Sequence, residues 1–112
     1  MEKKERVYIS LPINLSMGDV RERYLEGLQY LQKLYKGKEY EIQGPANIGQ
    51  FFEDINYDGN GVHYAVFMGK DIENLLQCDT ILMCRGWHQS LGCRTENAAA
   101  KIYGLKVIYQ FC

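Results

Sequence analysis

The stretch T-I-L-M-C (Thr80–Cys84) and the stretch K-V-I-Y-Q (Lys106–Gln110) flank an alanine-rich segment, and together they carry the clearest fold signal in this chain. Short apolar, β-branched runs of this kind are typical of strands that are buried on both faces. The segment between them predicts a helix from about Cys93 to Tyr103, which Gly104 closes. A strand, a helix and a second strand in this order indicate a parallel crossover unit.

The same alternation extends towards the N-terminus. R-V-Y-I-S-L (Arg6–Leu11) predicts a buried first strand, which Pro12 ends. A first helix is expected after Ser16, which can cap it, and is expected to stop at Gly37. Its apolar positions recur at spacings of three and four, at Val20, Tyr24, Leu28, Leu31 and Tyr35.

A weaker strand is expected at Glu39–Gln43, and the glycine-punctuated stretch 44–61 receives no assignment. A second helix follows, with apolar positions at Tyr64, Met68, Ile72, Leu75 and Leu76. The order of elements predicts an α/β fold: a doubly wound parallel sheet of four to five strands in three layers, α/β/α. Ligands of such sheets bind at the carboxyl ends of the strands where the strand order reverses, so we expect the site at the ends of the first and third strands.

Composition bounds the class of protein. The length of 112 residues predicts a single domain over residues 1–112. A net charge of -1 with scattered lysines and arginines argues against long nucleic acid as a partner. No apolar run reaches the length of a membrane span, and the charged N-terminus has no apolar segment behind it, so no membrane partner and a cytoplasmic location are expected. The 4 cysteines and 2 histidines lack ligand spacing, so no metal site is expected.

Asp71 is the first candidate for chemistry. It follows Met68 by three residues and precedes Leu75 by four, so it lies beside the apolar stripe of the second helix. A carboxylate in such a place is either paired or functional, because burying it alone is costly. A capping role or a salt bridge at the rim is the alternative.

Glu96 is the second candidate. On the third helix it shares a face with Ala99, Ala100 and Tyr103. The two alanines are small and would let the helix approach the sheet closely. We expect it in the first helical turn, where the helix dipole favours an anion and holds its pKa down. An ionised carboxylate there could act as a nucleophile, although a lone glutamate in a first turn is often only a cap.

The loop before the third helix offers binding groups. Ser90 and Gly92 lie at a helix N-terminus, whose free N–H groups suit a phosphate or another anion. Trp87, which follows Gly86, could stack on a base or plug the edge of the sheet.

Three segments combine into a recognisable pattern: D-I-E-N-L-L-Q-C-D-T-I-L-M-C (71–84), G-W-H-Q-S-L-G-C-R-T-E-N-A-A-A (86–100) and G-L-K-V-I (104–108). With the opening strand V-Y-I-S-L-P (7–12), they resemble the nucleoside 2-deoxyribosyltransferase superfamily. The pattern is similar to the deoxynucleoside 5'-monophosphate N-glycosidase branch. It most closely resembles the family called domain of unknown function 4406, with its G-W-x-x-S-x-G-x-x-x-E loop. The resemblance does not cover residues 38–62.

The resemblance implies a flavodoxin-like fold and a retaining displacement on a nucleoside or nucleotide. It implies that Glu96 attacks the anomeric carbon, that Asp71 assists proton transfer to the base and that Tyr8 orients the nucleophile. Ser90 and Gly92 would hold the 5' side of the sugar or its phosphate. Pro12, Asn14, Gly86 and Trp87 are further candidates for substrate contact. No metal or organic cofactor is required, and a homo-oligomer is expected whose members complete each other's sites.

Two functions follow. The first is an N-glycosidase or deoxyribosyltransferase that works through a covalent glycosyl-glutamate, which the joint presence of Tyr8, Asp71 and Glu96 favours. The alternative is a non-catalytic nucleotide-binding module of the same fold. Leu11 favours the alternative, because relatives commonly have glycine there. A flavodoxin-type electron carrier has little support, since the turn at Pro12–Met17 lacks a run of hydroxyl residues to hold a flavin phosphate.

Overall fold

The elements alternate along the chain as expected. The computed structural model describes residues 4–12, 17–43 and 69–110. The described elements are, in chain order, β1 (Glu5–Ser10), α1 (Met17–Leu34), β2 (Tyr40–Gln43), the described part of α2 (69–75), β3 (Thr80–Met83), a 3-10 turn (Trp87–Gln89), α3 (Leu91–Ile102) and β4 (Lys106–Tyr109). The predicted cap Ser16, the apolar positions Tyr64 and Met68 and the unassigned stretch 44–61 lie outside these residues.

Four parallel strands form the sheet in the described part of the chain, in the order β2-β1-β3-β4. The strand order reverses between β1 and β3, and this order begins the flavodoxin-like series 2-1-3-4-5. The register sets Ser10 beside Met83 of β3 and Met83 beside Tyr109 of β4. The prediction of a parallel α/β sheet with its switch point at the first and third strands is confirmed.

Helices cover both faces of the sheet, each over its own hydrophobic core. One core, which we call the α1 core, packs α1 against alternate residues of the strands: Val7, Ile9, Leu11, Val20, Leu31, Tyr35, Leu82, Cys84 and Ile108. The other, the α2/α3 core, packs α2 and α3 against the opposite face: Tyr8, Leu75, Cys78, Ile81, Met83, Cys93 and Ala100. Because strand side chains alternate in direction, the two cores share β1 and β3 without sharing a residue. The three-layer, doubly wound arrangement is therefore confirmed.

Helix α3 begins earlier than the sequence pattern suggested. The Ser90 hydroxyl accepts a hydrogen bond from the backbone N–H of Cys93 at 3.2 Å, which caps the helix, so its first residue is Leu91. Glu96 is consequently in the second turn, and the prediction that it lies in the first turn is wrong. Tyr103 follows the last helical residue and is 67% exposed, so it does not share the buried face with Glu96.

Within the described ranges, no helix is both long enough and apolar enough to cross a membrane.

Candidate active site

A buried carboxylate lies where the strand order reverses. Glu96 is 5% exposed, and the hydroxyl of Tyr8 donates a hydrogen bond to its Oε2 at 2.6 Å. The hydroxyl of Ser10 donates to its Oε1, also at 2.6 Å. Tyr8 and Ser10 are two residues apart on β1, so they project from the same face of the sheet. Both carboxylate oxygens are thus held by one strand.

The structure of α3 explains how Glu96 reaches β1. The residues of α3 that face the sheet are Cys93, Glu96, Asn97 and Ala100, all buried. Thiol and methyl side chains on either side of Glu96 leave room for the helix to approach the strands closely. The carboxylate therefore enters the sheet face rather than reaching out to solvent.

Burial dominates the ionisation of Glu96. The pKa of this carboxyl is raised from 4.5 to about 7. Desolvation is the largest cause, the hydrogen bonds from Ser10 and Tyr8 oppose it, and the nearby charge of Asp71 adds a smaller increase. The expectation that a helix dipole holds its pKa down is therefore wrong. The dipole acts mainly within the first turn, which α3 completes before Glu96.

Asp71 and Tyr8 belong to the same electrostatic site. Asp71 lies on α2, is partly buried, and its pKa is raised by desolvation from 3.8 to about 6. Its charge acts on both Glu96 and Tyr8. Burial, and then the charges of Glu96 and Asp71, raise the pKa of the Tyr8 phenol, so it stays a neutral donor near neutral pH. The structure thus brings together the three residues that were predicted to be catalytic.

Ser10 is a site residue that the sequence interpretation missed. Its hydroxyl is fully buried and contacts Glu96 as closely as Tyr8 does. The signal was present in V-Y-I-S, because the period of two places Ser10 on the face of Tyr8, one step nearer the carboxyl end of the strand. A lone hydroxyl within an apolar strand is the feature that could have identified it.

The described binding residues that were predicted lie on two segments, the loop from β3 into α3 and the chain just after β1. Ser90 is buried and its hydroxyl caps α3, while Gly92 lies in the first turn of that helix. Pro12 is buried at the end of β1. Asn14 lies outside the described residues.

Gly86 begins the loop in a conformation that favours glycine. Its φ is 84°, and an added Cβ would clash with the guanidinium of Arg23. Arg23 donates to the carbonyl oxygen of Arg85 at 2.5 Å, and Arg85 forms an ion pair with Glu26 at 2.9 Å. Two side chains of α1 thus fix the start of the loop that leads to α3.

Trp87 is the aromatic residue of this loop, and it is half-buried. Its ring stacks on His88, with centroids 3.9 Å apart, and lies 5.6 Å from the ring of Tyr109 at the end of β4. The Trp87 ring therefore borders the α2/α3 core on one side and a partly open surface on the other.

Leu11 does not occupy the site. Its side chain is 5% exposed and packs in the α1 core with Val7 and Ile9. Tyr8 and Ser10 project from the opposite face, so the Leu11 side chain is directed away from Glu96. The strongest sequence feature in favour of a non-catalytic module thus acts on the other side of the sheet.

The described cysteines do not form a reactive cluster. Cys78, Cys84 and Cys93 are buried free thiols, and burial raises the pKa of Cys93 to about 11. Among the residues that the structure describes, no group of three or more histidine, cysteine, aspartate or glutamate side chains could hold a metal ion.

The comparison with protein families agrees with the resemblance to domain of unknown function 4406 that the sequence pattern indicated. A family model described as "Domain of unknown function (DUF4406)" matches residues 5–109, a range that runs from β1 to β4 and includes Tyr8, Asp71 and Glu96. No curated protein and no solved structure matches the chain. Because the match covers nearly the whole sequence, the chain belongs to the family of the domain of unknown function DUF4406.

Proposed function

We propose that this chain cleaves the N-glycosidic bond of a deoxynucleoside or of its 5'-monophosphate, with Glu96 as the nucleophile. The observation that carries the proposal is the pairing of both Glu96 oxygens with Tyr8 and Ser10 inside a buried site at the switch point of the sheet. The resemblance to the nucleoside 2-deoxyribosyltransferase superfamily supports the choice of substrate.

In the proposed reaction, Glu96 forms and breaks the bond to the sugar, and Asp71 carries the proton. The ionised Glu96 attacks the anomeric carbon, the bond from that carbon to the base nitrogen breaks, and the electron pair leaves with the base. Protonated Asp71 donates its proton to the departing base. Water or a second base then attacks the glycosyl ester, passes a proton to Asp71 and releases Glu96. Tyr8 and Ser10 keep the carboxylate aimed at the sugar throughout.

The two carboxyl groups suit this exchange of protons. A group is most effective as an acid or a base when its pKa lies near the working pH. Burial brings the pKa of Asp71 to about 6 and that of Glu96 to about 7, so each group has both protonation states available near neutral pH.

The placement of the substrate follows from the same elements. We assign the 5' side of the sugar to the N-terminus of α3, beside Ser90 and Gly92, where backbone N–H groups favour an anion. We assign the base to the Trp87 side of the loop. The cytoplasm, where nucleotides are metabolised, is the compartment that this activity implies.

The decisive experiment is a screen of nucleosides and 5'-monophosphates for release of free base. The wild-type chain should release base, and Glu96→Gln should not, because the amide is a poor nucleophile of nearly the same shape. Glu73→Gln is the matched control, since Glu73 is an exposed glutamate on α2. A 2-fluoro-2-deoxy substrate should leave a covalent adduct on Glu96, detected by intact-protein mass spectrometry.

Two results would count against the proposal. Base release by Glu96→Gln at the wild-type rate would show that Glu96 is not the nucleophile. Binding of nucleotides without release of base, for every substrate tested, would favour the non-catalytic module.

A further inference from the structure

Hydrogen bonds attach helix α3 to the sheet on two sides. Glu96 contacts Tyr8 and Ser10 of β1. The next residue, Asn97, donates a hydrogen bond from its Nδ2 to the hydroxyl of Tyr109 at the end of β4, at 3.2 Å. Strand β3 lies between β1 and β4, so the two strands that receive these contacts are about 10 Å apart, which is two strand spacings.

The two attachments diverge from the midline of the helix. Successive helical residues are about 100° apart around the axis. Because Cys93, Glu96, Asn97 and Ala100 face the sheet, the midline of the buried face runs between Glu96 and Asn97. Glu96 therefore leans towards β1 and Asn97 towards β4. Rotation of α3 about its axis cannot shorten one contact without lengthening the other.

The attachments also lie at one level of the sheet. Ser10, Met83 and Tyr109 are register partners on three adjacent strands. The contacts of Glu96 and Asn97 are therefore opposed directly across β3. Ala100, the next sheet-facing residue, has only a methyl side chain, so the hydrogen bonds of Glu96 and Asn97 are the specific polar contacts of this part of the helix with the strands.

The Asn97 amide depends on this contact. Asn97 is 6% exposed, and a buried amide without a partner is costly. The ring of Tyr109 packs near Trp87 independently of its hydroxyl, so the hydroxyl contributes a separate contact.

We propose that Asn97 and Tyr109 form a positioning pair that fixes the rotation of α3 and thereby holds the Glu96 carboxylate against Tyr8 and Ser10. The geometric part of this inference is independent of the reaction. Its effect on turnover rests on the proposed function.

The test compares Tyr109→Phe with Tyr103→Phe, which removes the same hydroxyl from an exposed tyrosine just after the same helix. The readout is the proton NMR signal of the Tyr8 hydroxyl, assigned by its loss in Tyr8→Phe. A proton in a 2.6 Å bond to a buried carboxylate is expected far downfield. The signal should move upfield or broaden in Tyr109→Phe and in Asn97→Ala, and should not change in Tyr103→Phe.

Urea unfolding supplies a second readout. Tyr8→Phe lowers the unfolding midpoint, and this loss should be at least halved when Tyr109→Phe is already present, because Glu96 has then left Tyr8. A purely structural role for Tyr109 predicts that the two losses add, as they do for distant sites. Either additive losses or an unchanged Tyr8 signal in Tyr109→Phe would overturn the proposal.

Turnover gives the third readout. Tyr109→Phe should lower kcat about tenfold and leave KM within about twofold, because misplacing a reacting group costs rate more than binding. An unchanged kcat beside a normal Tyr8 signal would also overturn the proposal. If the wild-type chain releases no base, the proposed function fails, but the NMR and unfolding experiments still decide the role of the pair.

Discussion

At the level of single residues, the neutral partners of Glu96 are its most informative feature. Two hydroxyls hold the carboxylate, and the charged group that shifts its pKa, Asp71, is an anion. A cationic partner would keep Glu96 permanently ionised. Hydroxyl donors fix its geometry without a cation's strong preference for the ionised form, which suits the proposed role of a carboxylate that first attacks the sugar and then leaves it.

The pH dependence of activity follows from this pair. In the proposed mechanism, turnover needs an ionised Glu96 and a protonated Asp71, so kcat/KM should be bell-shaped with its maximum between about pH 6 and pH 7. Asp71→Asn should lower the rate and remove the alkaline limb, since the amide has no proton to lose. A rate that rises without limit through pH 8 in the wild type would contradict this assignment.

The stability of the fold should depend on pH through Glu96. Its carboxyl has a pKa of about 7 in the folded chain and 4.5 when unperturbed, so between these values the folded state binds more protons than the unfolded state. The free energy of unfolding contributed by this group is therefore full below about pH 4.5 and is lost as the pH rises through 7, by on the order of 3 kcal/mol.

The variant Glu96→Gln tests whether the free energy of unfolding falls as the pH rises because of Glu96. The variant should lose less stability than the wild type between pH 5 and pH 8, and should be the more stable of the two at pH 8, as measured by urea unfolding. Asp71 remains in both proteins and adds a smaller effect of the same sign. Parallel stability curves for the two proteins would show that Glu96 is not desolvated in the folded state.

At the level of elements, the start of α3 determines where Glu96 lies. Ser90 caps the helix through the N–H of Cys93, which sets the turn on which each later residue falls. Ser90, which caps the helix, is also the serine of the G-W-x-x-S-x-G-x-x-x-E loop. This serine therefore stabilises the start of the helix whether or not a ligand is bound. At the other end of this loop, next to β3, α1 holds Arg85 through the hydrogen bond from Arg23 and the ion pair with Glu26.

Loss of the cap should be measurable as stability. Ser90→Ala leaves the Cys93 N–H without its partner, so the free energy of unfolding should fall by about 1 kcal/mol. Thr95→Ala is the control, because Thr95 is an exposed residue of the same helix whose hydroxyl only donates back to the Leu91 carbonyl. Thr95→Ala should change stability by less than about 0.5 kcal/mol. Equal losses in the two variants would contradict the capping role of Ser90.

At the level of the whole molecule, apolar groups remain exposed outside the two cores. Leu91 is 69% exposed and Ile102 is 76% exposed, at opposite ends of the outer face of α3. They are eleven residues apart, roughly 16 Å along the helix, and so do not form one continuous apolar patch. The homo-oligomer that the family resemblance implies would give them a partner.

Light scattering at micromolar concentration tests the oligomer. We expect a mass of at least two chains, and Leu91→Glu together with Ile102→Glu should reduce it towards one chain if α3 forms the contact. Leu25→Glu is the control, since Leu25 is 57% exposed on α1, on the other side of the sheet. A monomer in the wild type would contradict the prediction.

The sequence by itself determined the order of the elements, the parallel sheet, its switch point and the grouping of Tyr8, Asp71 and Glu96. The elements and their order can be predicted because periodicity and the residues that end strands and helices are local properties of the chain. The grouping of the three residues came from the resemblance to a known family. Only the tertiary structure decided the ionisation of Glu96, the contact with Ser10 and the face on which Leu11 packs. Desolvation and hydrogen bonding depend on the segments that cover a residue in space, and α3 meets β1 across more than 80 residues of sequence.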